Sequence, residues 1–164
     1  VGGWAVGAWL DAAPEYAGTV ADEMPEEPGS NRTQTRQSPS AQGIALTDAL
    51  GFNNTYALVR RRDQAERLSS KSISDLRSHP ELKFGLTHEF RDRQDGWQPL
   101  AAKYQLHPAQ TLGIDHALGY SALAKGEIDV KDAYSTDTKI DDYGLIVLAE
   151  DQNFFPRSED AFLY

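Results

Sequence analysis

The chain has 164 residues, a length for which one domain with a substantial core is the prior. Its 25 acidic residues against 16 basic ones give a net charge of -9, which disfavours nonspecific binding to nucleic acid or anionic membranes and leaves small solutes as partners. It contains no cysteine, so disulfides and thiolate chemistry are excluded while the compartment stays open. No apolar run reaches the roughly 18 residues of a membrane span, and the opening VGGWAVGAWL lacks the basic stretch of a signal peptide.

In chain order, the stretch 24–40 (MPEEPGSNRTQTRQSPS) has almost nothing apolar and predicts a solvated loop. From Asp63 onward the pattern alternates between helices and strands. A short helix opens at 74–78, followed by a strand at 83–87 and a helix at 97–104. A helix at 116–125 carries Leu118 and Leu123 at helical spacing, and strands follow at 128–134 and 145–148. This alternation implies an α/β fold with a mostly parallel sheet and ligand groups at strand ends.

Three strings place one tyrosine each among small and hydroxyl residues: PEYAGT (14–19), GFNNTYAL (51–58) and DAYSTD (132–137). Such a ring can lie open beside backbone and hydroxyl donors, and a tyrosine face attracts a poorly hydrated cation through its quadrupole. In order and wording these strings resemble the substrate-binding proteins of ABC importers for osmoprotectants such as glycine betaine, choline and carnitine. The runs LKFGLTHEFRDRQDGW (82–97), GIDHALGYSALAKGEIDVKDAYSTD (113–137) and LIVLAEDQNFFP (145–156) resemble that family's second lobe.

The resemblance implies a type II periplasmic-binding-protein fold. Residues 1–59 would form a partial first lobe, 62–150 a complete second lobe, and 151–164 a crossover returning to the first, with hinges at 59–62 and 151–156. It implies that Tyr16, Tyr56 and Tyr134 form an aromatic cage around a trimethylammonium head, and that the main-chain carbonyl of Asn54 faces the cation. Thr19 and Arg93 would hold a carboxylate, with Arg91 as the competitor for the arginine role. The implied partners are a small quaternary amine and a membrane permease in an extracytoplasmic setting, with no cofactor and no bond made or broken. The segments AWLDAAPEYAGT (8–19) and EIDVKDAYSTDT (127–138) echo one another, which fits either lobe pseudo-symmetry or coincidence.

Departures from the family pattern matter too. Against the resembled pattern, the family's opening and closing segments would fall outside these 164 residues, and Arg157 and Ser158 stand where a fourth cage tyrosine is expected. The alternative is therefore a remodelled lobe that serves as a sensor or interaction module, or that no longer binds. Uncovered apolar surface around Trp4, Trp9 and Phe162 predicts self-association, with segment 1–19 exchanged between copies.

Each residue also has an ordinary structural reading. Tyr16 and Tyr134 fit half-buried tyrosines bonded to backbone, Tyr56 a strand aromatic, and Arg93 a surface ion pair with Asp92 or Asp95. Tyr104, Tyr120 and Tyr143 fit packing roles. HEFRD lacks the second histidine of a zinc-protease motif, and Asp115 is a helix N-cap with His116 in the first turn. Asp137, Asp141 and Asp142 are too loosely spaced for a calcium loop and read as a solvated acidic face.

Overall fold

A computed structural model describes residues 13–16, 54–155 and 160–163, with side chains over 54–155. The strands are β1 (Ala13–Tyr16), β2 (Tyr56–Arg61), β3 (Lys83–Leu86), β4 (Gln110–Gly113), β5 (Val130–Tyr134), β6 (Leu145–Val147) and β7 (Asp160–Leu163). The helices are α1 (Arg62–Arg67), α2 (His88–Asp92), α3 (Trp97–Tyr104), α4 (His116–Lys125) and α5 (Lys139–Asp142), with a 3-10 turn at Ser74–Ser78.

The chain divides into two compact units, one drawn from 1–54 and 156–164 and the other from 55–155. In the first, β1 and β7 pair antiparallel, with Ala13 opposite Leu163 and Tyr16 opposite Asp160. Thr19, the loop at 24–40, Trp4, Trp9, Arg157 and Ser158 lie outside the described residues, as do the side chains of Tyr16 and Phe162.

The second unit is built on a five-stranded sheet in the order β4-β3-β5-β2-β6. β3 runs parallel to β4 and β5, whereas β2 runs antiparallel to both of its neighbours, β5 and β6. Four strands therefore share one direction and β2 alone opposes them, giving a mixed sheet in an α/β fold. β2 belongs wholly to this unit and is hydrogen-bonded on both sides. The chain crosses between units at 54–55 and 155–156, and β2 leads without a break into α1, where the first hinge was expected.

Strand alternation distributes the core to both faces of the sheet. Leu58, Phe84, Leu86 and Val130 pack with Phe90, Trp97, Leu100 and Tyr104 on one face. Val59 and Ala133 pack with Tyr120, Leu123, Ile128 and Ile140 on the other. Gly85 sits where a Cβ would come within 2.4 Å of Ile128 Cδ1, so the side chain from beyond β3 fills the space that a larger residue would need. α4 starts at Asp115, whose carboxylate accepts the amides of Ala117 at 2.9 Å and Leu118 at 3.1 Å, as its N-cap reading anticipates. It ends at Gly126, whose φ of 75° is open to glycine at little cost.

Candidate functional site

The parallel strands β3, β4 and β5 all end on the same side of the sheet, where oppositely directed β2 begins. Ligand groups in α/β folds gather at such carboxyl ends. Register places Tyr56, the first residue of β2, directly opposite Tyr134, the last of β5. Cross-strand partners project on the same face, and the two rings lie 5.0 Å apart at 31°, with their hydroxyls 3.5 Å apart. Both side chains remain half-buried. Burial, reinforced by the Tyr134 hydroxyl, pushes the Tyr56 phenol well above the ordinary tyrosine range, so it stays neutral. The start of β2 is tied to the turn after β5 by reciprocal bonds: Thr55 N–H donates to Ser135 Oγ at 3.1 Å, and Ser135 N–H to the Thr55 carbonyl at 2.8 Å.

The Tyr56–Tyr134 pair belongs to a longer row of rings. Phe90 lies 4.8 Å from Tyr56 and Phe155 lies 6.5 Å from it. On the other side His116 lies 5.4 Å from Tyr134, Tyr120 follows at 5.6 Å from His116, and Tyr143 stacks on Tyr120 at 6.0 Å. Phe90 is held by the cap of α2: Thr87 Oγ1 accepts its amide at 3.2 Å while donating to Asp132 Oδ2 at 2.7 Å. The segment leading to Phe155 is fixed by Glu150, which accepts the amides of Gln152 and Phe154 and the Tyr104 hydroxyl.

Arg93 follows α2 directly, with its Cζ 5.9 Å from the centre of the Tyr56 ring. Its guanidinium makes a forked pair with Asp95, Nε to Oδ1 at 2.7 Å and Nη2 to Oδ2 at 2.9 Å. These bonds hold the Asp95 carboxyl below its usual range, against an opposing effect of burial. The ordinary ion-pair reading and a position beside the tyrosine thus hold together. Arg91 points elsewhere, since a Cβ on Gly113 would meet its Nη1 at 2.5 Å. Asn54 is buried just ahead of β2. Of the six residues singled out from sequence, Tyr56, Tyr134 and Arg93 are brought together; Thr19 and the Tyr16 side chain fall outside the described residues.

Asp137 departs from the expected solvated acidic face. Its Oδ2 accepts the Tyr120 hydroxyl at 2.5 Å and the Tyr134 amide at 3.0 Å, and lies 3.1 Å from His116 Nε2. The turn 134–137 folds the carboxylate back over the end of β5, which spacing to Asp141 and Asp142 could not reveal. Tyr104 and Tyr120 are buried as packing residues, whereas Tyr143 is 44% exposed. Among the described residues no cluster of three His, Cys, Asp or Glu side chains could hold a metal ion, and no helix is long and apolar enough to cross a membrane.

Residues 9–164 match the model of the substrate-binding domain of ABC-type glycine betaine transport systems. The chain belongs to this family. It is 34% identical to a glycine-betaine-binding protein of Pseudomonas aeruginosa, over 90% of this chain and 53% of that protein. It is 33% identical to an ergothioneine transport permease/ergothioneine-binding protein of Helicobacter pylori, over 90% of this chain and 28% of that one. Among solved structures, a glycine betaine/carnitine/choline ABC transporter protein superposes with a TM-score of 0.72 at 29% identity, covering 92% of this chain and 58% of its own. The chain thus spans about half or less of the length of these curated relatives.

Proposed function

We propose that this chain supplies ligand-binding surface for a compact quaternary-ammonium solute, with glycine betaine, choline and carnitine as the leading candidates, within an ABC importer. The observation that carries this reading is the half-buried Tyr56–Tyr134 pair with the Arg93 guanidinium beside it. A zwitterion with a trimethylammonium end and a carboxylate end needs π-rich surface at one end and a forked cationic donor at the other. The forked pair with Asp95 supports this reading, since the same guanidinium edge could take a ligand carboxylate in its place. A ligand carboxylate would compete with Asp95 for the guanidinium.

Tyr16, Thr19 and Asn54 are further ligand-binding candidates on the resemblance of their strings alone, and we read 55–155 as the second lobe. A permease in the membrane is the proposed partner and the extracytoplasmic face the proposed location. Release of a bound solute to a permease requires no chemistry on it, in keeping with a transport family. Calorimetric titration of the purified chain with glycine betaine, choline, carnitine, a sugar and inorganic phosphate tests the reading. Heat with the trimethylammonium compounds alone supports it, whereas micromolar binding of sugar or phosphate with no response to the others overturns it.

A further inference from the structure

Tyr134 has a second ring neighbour besides Tyr56, His116, and both nitrogens of that imidazole are engaged. Nε2 lies 3.1 Å from Asp137 Oδ2 and Nδ1 lies 3.5 Å from Lys131 Nζ. Lys131 is fully buried; its ammonium donates to the Asp132 carbonyl and sits 4.6 Å from the Tyr120 ring. Burial lowers the Lys131 pKa while Asp132 and Asp137 oppose that effect; with Lys131 as an ammonium, Nδ1 accepts and Nε2 carries the hydrogen donated to Asp137. The same Asp137 oxygen holds the Tyr134 amide and the Tyr120 hydroxyl. One carboxylate thus fixes the imidazole, the end of β5 and the phenol behind it.

We propose that His116 and Asp137 form a positioning pair for Tyr134, through which protonation of the imidazole weakens binding of a cationic ligand. The proposal rests on the reading of Tyr134 as a ligand-facing ring. Imidazole is the side chain whose unperturbed titration falls between about pH 5 and 8. A second proton on His116 must go to Nδ1, where it would point at the Lys131 ammonium. That like-charge contact forces the imidazole or the lysine to move, and the imidazole is packed on Tyr134. Protonation also adds a positive charge beside the ring that would face the ligand cation. The charged groups around it are Asp137 from the turn after β5, Lys131 and Asp132 from β5, Asp115 at the cap of α4, and Lys139 from α5, whose ammonium lies 5.5 Å from the Tyr120 ring.

Two measurements on the full chain test this. In ligand-free protein, an NMR pH titration should show the Tyr134 amide shifting with the His116 imidazole resonances. That shift should vanish in His116→Gln, and Asp137→Asn should uncouple the two. A Tyr134 amide indifferent to the imidazole titration overturns the positioning pair whether or not any ligand binds. In the second arm, calorimetry uses glycine betaine and choline, neither of which titrates in this range. Affinity of the unsubstituted chain should fall roughly three- to tenfold between about pH 7.5 and 5.5, the size expected of one added charge at partly screened range. In His116→Gln it should be flat. Equal weakening of the variant at both pH values, with an unchanged slope, would reduce His116 to a structural residue and overturn the coupling. If the NMR coupling is seen and neither probe binds at any pH, the trimethylammonium reading falls and the positioning pair stands.

Discussion

Tyr56 and Tyr134 are direct partners in the register of β2 and β5, which brings two half-buried rings to 5.0 Å at the edge where four strands end and one begins. The antiparallel direction of β2 makes this pairing possible. A parallel β2 would put its first residue at the opposite end of the sheet from the last residue of β5.

If these rings bind a cation through their faces, removing either should cost affinity while keeping an aromatic should not. Tyr134→Ala and Tyr56→Ala are each expected to weaken glycine betaine and choline alike, by about 0.5–2 kcal/mol per ring. Tyr134→Phe should stay close to the unsubstituted chain. Calorimetry with both ligands checks this, and a phenylalanine variant as weak as the alanine one would point to the hydroxyl instead.

The position of Arg93 over Tyr56, with Arg91 turned toward Gly113, separates two neighbouring arginines that the string HEFRDRQDG left in competition. Arg93→Ala should weaken betaine far more than choline, which has no carboxylate, and Arg91→Ala should spare both. Comparable losses for the two ligands in Arg93→Ala would remove the carboxylate role.

Much of this arrangement was legible in the sequence because it depends on local chemistry. Asp115 before an amphipathic run specifies a cap, and Tyr134 closing the strand VKDAY specifies a ring at a strand end. The antiparallel direction of β2 was not legible, since strand direction is settled by pairing with β5 and β6, which are more than 60 residues away. β4, with the sequence QTLG and mostly exposed side chains, offers no alternation to read. Asp137 was read as part of a solvated acidic face and His116 only as a first-turn residue of α4, because their partnership forms only when the turn after β5 folds back against that turn.

The Arg93–Asp95 pair also predicts an acid response. The Asp95 carboxyl is held below its usual value, chiefly by the hydrogen bonds from Arg93. A group with a depressed folded-state pKa contributes stability that is fully present above its unfolded value, about 3.9, and is lost as pH falls through the folded one. The melting temperatures of the unsubstituted chain and Asp95→Asn should therefore differ at pH 6 and converge in acid once the pH has fallen through the depressed folded value of the carboxyl. A difference that persists unchanged into acid would show that the carboxylate charge contributes nothing.

Arg60, in the centre of β2, is fully buried, and burial lowers its pKa from the usual arginine value. Its Nη1 donates to Ser70 Oγ, yet Nε and Nη2 have no hydrogen-bond partner among the described residues. Asp129 has the largest favourable charge effect on it, but that carboxylate is already committed to Gln64 Nε2 and the Lys83 amide. A buried cation with unsatisfied donors carries a desolvation cost that its neighbours only partly offset, and replacing such a group by an apolar one of similar length is often neutral or stabilising by about 1–4 kcal/mol. Arg60→Met is therefore expected to hold or raise stability in urea unfolding, because the methionine reaches the same layer beside Leu58 without stranding a charge. Asp129→Asn is expected to lower it, since Arg60 would then lose its largest favourable charge effect while staying buried. A large loss in Arg60→Met would mean that the guanidinium is fully solvated or bridged where it lies, and the order of the two variants would reverse.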